Sequence, residues 1–246
     1  MKTEWGISGS ALKWIAILLM AVDHVGASLL ETYGLNLWGT SPFGDYFLRT
    51  GDWFERIYGL DRILRAIGRP AFPIFCFLLV EGFCHTHDVK KYALRLGVFA
   101  LVSEIPFDLA IYGKFPSWRS QNVFFTLFLG LLFVWYARDL ARTWGGRLMG
   151  ALILCCAAEL LQVDYGAFGV ALIGLLYVLR DRRLLQCAAG AVSSAWEAPA
   201  PLAFVLLYFY NGKRGRGPKW FFYWFYPAHL FLYYLLGMWA IPAWIM

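Results

Sequence analysis

Long apolar stretches separated by short polar joints set the pattern of this chain from end to end. The apolar segments fall near residues 11–30, 70–86, 92–112, 122–137, 148–162, 167–179, 184–198, 199–210 and 221–243. A membrane-spanning helix needs about 20 apolar residues to cross a hydrocarbon core of about 30 Å. Because several segments are shorter than that, the pattern predicts an all-α membrane bundle of eight or nine spans.

One joint, residues 31–69, is long enough to hold a helix of its own. Apolar side chains recur in it at helical spacing, namely Trp53, Ile57, Leu60, Leu64 and Ile67. Charged side chains fill the positions between them, namely Asp52, Glu55, Asp61, Arg62 and Arg65. This alternation predicts an amphipathic helix lying in the membrane interface, within the first extracytoplasmic joint. The chain has no internal repeat, and we expect a single domain over residues 1–246.

Composition and charge placement support a membrane protein. Hydrophobic residues make up 60% of the chain and charged residues only 15%, against about 25% charged in soluble domains. Lys and Arg gather in the joints after the second, fourth, sixth and eighth segments, which places those joints and the N-terminus on the cytoplasmic side. The five cysteines are odd in number and lack paired spacing, so we expect no disulfide framework and no metal site.

Asp23 and His24 stand side by side inside the first apolar segment. Ionisable groups at bilayer depth cost roughly 2.5–3.5 kcal/mol each on insertion scales, so they usually face a cavity and serve a function. At a rise of about 1.5 Å per residue, Asp23, His24, Glu104 and His229 fall in one layer near the midplane. A structural hydrogen bond between helices is the alternative for each residue alone, but their shared depth favours a site.

Several segments, in chain order, resemble the F-pilin acetylase (TraX) family, namely LKWIAILLMAVDHVG, IGRPAFPIFCFLLVEGF, SEIPFDLA, NVFFTLFLGLL, DYGAFGV, YNGKRG and FYPAHL. The resemblance runs from about Leu12 to Leu230. It implies an acyltransferase of the bacterial cytoplasmic membrane that takes acetyl groups from cytosolic acetyl-CoA. The family's named activity is N-terminal acetylation of a pilin subunit. One departure from the family pattern follows the sequence Val-Glu-Gly-Phe at residues 80–83. The basic residues after it come only at Lys90 and Lys91.

With acyl transfer as the reaction, His24 is the candidate general base, oriented by Asp23 or Glu104, and His229 is the rival base. The candidate substrate-binding residues are Arg69, Glu81, Asp108, Asn122 and Asp164, of which Arg69 and Asn122 serve the acceptor or the oxyanion. The candidate residues for the phosphates of acetyl-CoA are Lys90, Lys91, Arg95, Arg138, Lys213 and Arg214. We expect direct transfer rather than an acyl-enzyme, because no cysteine clearly adjoins a histidine in the polar layer.

Two other functions remain open from the sequence. A small proton-coupled transporter also places Asp, Glu and His at the midplane, although it predicts repeated halves that this chain lacks. A structural factor in pilus or secretion assembly is the third interpretation. The acceptor stays open between a pilin or peptide amine, a small amine and a hydroxyl group. We expect contact with the lipid bilayer and no nucleic-acid partner.

Overall fold

The computed structural model describes residues 5–40 and 51–245, with side chains given for 5–40 and 54–239. Within those ranges the chain is helical and forms no strand, which confirms the all-α class. The α-helices are α1 (Gly9–His24), α2 (Gly51–Gly68), α3 (Ala71–His85), α4 (Val89–Tyr112), α5 (Val123–Asp139), α6 (Trp144–Leu160), α7 (Gly166–Val178), α8 (Arg183–Ser193), α9 (Ala203–Tyr208) and α10 (Lys219–Ile245). A π-helix, Val25–Gly34, follows α1 directly.

Each of the nine predicted apolar segments contains a helix. In the described part of the chain, two helical stretches are long and apolar enough to cross a membrane, Gly9–Gly34 and Phe54–His85. The second stretch takes in α2 and α3, which a turn at Arg69 and Pro70 separates. The number of spans and their orientation therefore stay predictions.

The chain divides into two compact units. The first unit comprises Met1–Ala16, Pro70–Val102 and Trp118–Gly217. Its core is built on α3, α5 and α7, which pack closely because glycines face bulky side chains. At Gly130 an added Cβ would lie 2.2 Å from Ile173 Cδ1, so the α5–α7 contact depends on the missing side chain.

An N-terminal segment is tied into the same unit by backbone hydrogen bonds. Ile7 pairs with Tyr210, and the backbone N–H groups of Gly9 and Ser10 donate to the carbonyls of Lys213 and Arg214, at 2.9 and 2.8 Å. These bonds satisfy donors at the first turn of α1, which have no partner inside the helix.

The second unit comprises Ile17–Arg69, Ser103–Ser117 and Pro218–Met246. The π-helix lies at its centre and packs against α2 and α10. Tyr33 is buried and donates its hydroxyl to the carbonyl of Leu109 at 2.8 Å, while the Tyr233 hydroxyl donates to the carbonyl of Ala21 at 3.1 Å. Polar side chains thus hold the elements of this unit together through backbone carbonyls.

Two features of the second unit differ from the sequence prediction. The first apolar segment changes from an α-helix to a π-helix at Val25, a rare form that is frequent at functional sites. The predicted apolar stripe of α2 is split, because Leu60 and Ile67 are exposed while Ile57 and Leu64 are half-buried. The side chains of Asp52 and Trp53 lie outside the described ones. Asp61 is buried on this helix, which hydrophobic periodicity alone does not predict.

Candidate functional site

Two histidines from opposite ends of the chain meet inside the second unit. His24 ends α1 and His229 lies in α10, and their Nδ1 and Nε2 atoms are 2.6 Å apart. The planes of the two imidazoles differ by 12° with centroids 4.9 Å apart, and the Phe225 ring lies within 20° of the His229 plane at a centroid distance of 4.8 Å. His229 is buried, whereas His24 is partly exposed. Of the two residues, His24 is therefore the less buried.

The hydrogen bonds define which nitrogen of the pair is open. His229 Nδ1 lies 2.6 Å from the carbonyl oxygen of Phe225, which can only accept, so this nitrogen carries a hydrogen. In a neutral imidazole the other nitrogen, Nε2, then accepts. His24 Nδ1 must donate to it, which leaves His24 Nε2 with a lone pair. This chain of three groups presents a proton acceptor at His24 Nε2.

Asp23 does not face His24, although the two residues are neighbours in the chain. Successive side chains on an α-helix diverge by roughly 100°. The Asp23 carboxylate is ion-paired with the Arg65 guanidinium, whose Nε also lies 3.1 Å from Glu31 Oε1. The sequence predicts that Asp23 orients His24. In the structure His24 bonds His229 instead, and Asp23 pairs with Arg65.

Two glycines allow α2 to approach this cluster closely. A Cβ on Gly68 would lie 2.2 Å from Asp23 Cβ, and a Cβ on Gly26 would lie 2.7 Å from Asp61 Oδ1 and 3.0 Å from Arg65 Cδ. A side chain at either position would push α2 away from the polar groups. The missing side chains therefore let Asp61 and Arg65 reach the backbone next to His24.

The remaining predicted residues of the second unit are Arg69, Glu104 and Asp108. Arg69 lies near enough to Asp23 and Asp61 to attract both carboxylates. Glu104 is partly buried on α4. Asp108 is fully buried and accepts the backbone N–H of Ser117 at 2.7 Å, which fixes the loop after α4. One of its oxygens is thus engaged by the fold, which weakens the expectation that it binds substrate.

Three predicted substrate-binding residues lie in the first unit. Asn122 caps α5 by accepting from Phe124 N–H at 3.0 Å, and its amide donates to the carbonyl of Ala100 at 2.8 Å. Glu81 hydrogen-bonds the Tyr210 hydroxyl. Asp164 is exposed. Because the Asn122 amide is buried and bonded at both ends, it serves the fold of this unit.

The predicted donor-binding cations also lie in the first unit, and they differ in their surroundings. The exposed ones are Lys90, Lys91, Arg138, Lys213 and Arg214, while Arg95 is partly buried and lies over the Tyr92 ring.

Nearby carboxylates offset two of these exposed charges. The backbone N–H of Lys91, and then its ammonium group, hold the pKa of Asp88 below its usual range. Arg138 does the same to the pKa of Asp139. Lys91 and Arg138 are therefore locally neutralised.

Sequence reasoning missed four residues of the cluster: Glu31, Asp61, Arg65 and Phe225. Asp61 and Arg65 were assigned to the polar face of an interfacial helix, yet both point into the second unit. Their spacing of four residues puts them on one face of the helix. That spacing is the sequence feature from which their proximity could have been predicted. Phe225 contributes a backbone carbonyl, which no side-chain pattern reveals.

Comparison with known proteins finds relatives that match most of the chain. The chain is 29% identical to the probable fimbrial assembly protein FimC of Dichelobacter nodosus, over 94% of this chain and 96% of that protein. It is 21% identical to an uncharacterized protein of Rickettsia prowazekii (strain Madrid E), over 70% of this chain and 56% of that protein.

No solved structure matches the chain. The sequence model of the TraX protein family matches residues 8–237, which include His24, Arg65 and His229. That match covers most of the chain and confirms the resemblance seen in its motifs. The protein belongs to the TraX family.

Proposed function

We propose that this protein is a multi-pass acetyltransferase of the bacterial cytoplasmic membrane, which moves an acetyl group from cytosolic acetyl-CoA to an amine. The observation that carries the proposal is the His24–His229 pair, whose hydrogen bonds leave His24 Nε2 as a proton acceptor. Transfer to an amine needs a base for the departing proton, and histidine is the commonest residue in that role.

Family membership and one relative support the choice of substrates. The TraX family match covers residues 8–237, and the family resemblance implies acetyl-CoA as donor. The similar Dichelobacter nodosus protein is named for fimbrial assembly, which supports the amino terminus of a pilin subunit as the acceptor. The exposed cations Lys90, Lys213 and Arg214 are proposed to face the cytoplasm and attract the phosphates of the donor.

In the proposed reaction, the acceptor nitrogen attacks the thioester carbonyl carbon of acetyl-CoA. A nitrogen–carbon bond forms, and the carbon–sulfur bond breaks as the tetrahedral intermediate collapses. His24 Nε2 takes a proton from the nitrogen and returns it to the departing CoA thiolate, which leaves as a free thiol. The His229 Nε2 acceptor stabilises the imidazolium of His24 by holding its Nδ1–H. Arg69 is the proposed stabiliser of the oxyanion.

A small proton-coupled transporter is the second candidate, because two imidazoles that share a hydrogen bond can pass a proton between them. The two proposals differ in their products. Acetyl transfer releases one CoA thiol for each acetylated amine, whereas transport changes no covalent bond.

The test uses the purified full chain in lipid nanodiscs with acetyl-CoA and L-alaninamide. We expect free thiol and N-acetylalaninamide to appear in equal amounts, as measured by a thiol reagent and mass spectrometry. His85→Asn is the control variant, since His85 is an exposed histidine at the end of α3. The absence of amide product, of acetyl-CoA hydrolysis and of saturable acetyl-CoA binding would overturn the proposal, and proton flux in proteoliposomes would then favour transport.

A further inference from the structure

Asp61 is a buried carboxylate, and one of its oxygens has no hydrogen-bond partner in the described part of the chain. The residue is 6% exposed, and its Oδ1 is fully buried and accepts no hydrogen bond there. No Lys, Arg or His among the described residues comes within ion-pair distance of it. Isolating a carboxylate from water is costly unless a cation or a donor compensates it. Asp61 Oδ1 therefore has the capacity to accept a hydrogen bond that the described residues do not supply.

The side chains around Asp61 leave a surplus of negative charge. Arg65 is engaged by two carboxylates, those of Asp23 and Glu31. Arg69 is the second cation near the cluster, and it attracts Asp23 and Asp61. Among the residues that the structure describes, three carboxylates against two guanidinium groups give a formal surplus of one negative charge. A ligand with one positive charge would balance it.

Asp61 packs against the π-helix that follows the proposed base. Its Oδ1 lies against Gly26, two residues after His24 in the chain. The missing side chain at Gly26 is what allows this approach, because a Cβ there would lie 2.7 Å from the oxygen. In the part of the chain that the structure describes, no group of three His, Cys, Asp or Glu side chains is suited to a metal ion. The geometry thus favours a small organic cation over a metal.

We propose that Asp61 binds the ammonium group of the acceptor, so that the enzyme selects amines that arrive protonated. This inference rests on the proposed function and names its substrate class: a primary ammonium, in preference to a hydroxyl group. The ammonium first transfers one proton to His24 Nε2, which passes it to solvent, and the resulting amine attacks the thioester. The second proton follows the route already described, through His24 to the CoA thiolate. The products are one amide, one CoA thiol and one proton in solvent.

The test compares two probes that differ in one group, L-alaninamide with an ammonium and L-lactamide with a hydroxyl. Each probe is titrated against the full-length protein in nanodiscs, with and without acetyl-CoA. Binding is followed by the shift in thermal unfolding temperature, and turnover by CoA thiol release. The wild-type protein should bind L-alaninamide at least tenfold more tightly than L-lactamide, since a charge-assisted hydrogen bond is about twice as strong as a neutral one.

Asp61→Asn should abolish most of that preference, raising the KM for L-alaninamide at least tenfold while leaving the KM for acetyl-CoA unchanged. Glu55→Gln is the matched control, because it removes the same charge from the exposed side of the same helix. An unchanged preference in Asp61→Asn, or an equal loss in Glu55→Gln, would overturn the inference. If the wild-type protein binds L-alaninamide selectively but forms no product, the ammonium site stands and the acetyltransferase proposal fails.

Discussion

The two units of this protein satisfy their polar side chains in different ways. In the first unit, Asn122 and Gln186 are buried and bond backbone carbonyls, those of Ala100 and Leu176. The second unit has such bonds too, for example from Tyr33 to the Leu109 carbonyl, but there side chains also pair with one another: His24 bonds His229, and Arg65 is ion-paired with Asp23 and Glu31. The second unit also contains two hydrogen-bond acceptors without a donor among the described residues, His24 Nε2 and Asp61 Oδ1.

This difference separates structural from chemical roles. A polar group whose bonding capacity is filled by backbone groups fixes a helix or a loop and has nothing left for a ligand. A cluster of side chains that share their partners, with one lone pair and one carboxylate in excess, has the features of a site. The four predictions that follow test this distinction by changing one group at a time.

The largest expected effect is on His24, in the second unit. His24→Asn keeps a side-chain N–H near the position of Nδ1 for His229 but removes the proton acceptor. We expect kcat/KM for amine acetylation to fall by about 10²–10⁴, the usual contribution of a general base, with little change in thermal stability. His85→Asn is the control and should keep full activity. Wild-type rates in His24→Asn would remove His24 from the mechanism.

Breaking the ion pairs of Arg65 should have the next largest effect. Arg65→Met leaves Asp23 and Glu31 without their shared cation, and we expect a loss of roughly 3 kcal/mol in stability. The measurement is the thermal unfolding midpoint in nanodiscs. Arg62→Met, which removes an exposed charge from the same helix, should shift the midpoint little. Equal shifts in the two variants would mean that the Arg65 network does not hold the second unit together.

His229 should matter less than His24, and its effect should depend on the replacement. His229→Gln offers an oxygen near Nε2 that can accept from His24, whereas His229→Phe offers none. We expect His229→Phe to lose about 100-fold in kcat, since the wrong tautomer disables a histidine base, and His229→Gln to keep most of the activity. The measurement is kcat for acetyl transfer at saturating acetyl-CoA, compared between the two variants. A loss in His229→Gln as large as in His24→Asn would make His229 the base instead.

The smallest effect belongs to the first unit. Asn122→Ala removes the cap of α5 and leaves the Ala100 carbonyl without its donor. We expect a loss of about 1–3 kcal/mol in stability, the penalty of an unsatisfied buried group, and an unchanged kcat in the protein that remains folded. A selective fall in kcat without a change in unfolding temperature would show that Asn122 acts on substrate.

The sequence predicted the helices well and the partners of the polar groups less well. Runs of apolar residues marked a helix in each of the nine segments, because burial or lipid contact selects apolar side chains in each helix separately. The depth estimated from the helical rise per residue also placed His24 and His229 in one layer of the membrane. In the structure the two side chains are hydrogen-bonded. It could not separate Asp23 from His24, since adjacent side chains have the same depth but point in different directions.

Other features of the site lie beyond such patterns. The π-helical turn after His24 changes how successive side chains are presented, and a calculation based on α-helical spacing does not include it. Arg65 joins residues that are 42 and 34 positions away in the chain, a pairing that only the folded second unit reveals. The Phe225 carbonyl, which orients His229, has no side-chain signature in the sequence.

The central claim is that His24 carries its hydrogen on Nδ1 and leaves Nε2 open. The direct measurement is nitrogen-15 NMR of the full chain labelled at its four histidines, with the His24 signals assigned by their loss in His24→Asn. The account predicts a protonated Nδ1 and an unprotonated Nε2 at His24, together with a protonated Nδ1 at His229. A hydrogen on His24 Nε2 with a bare Nδ1 would contradict it.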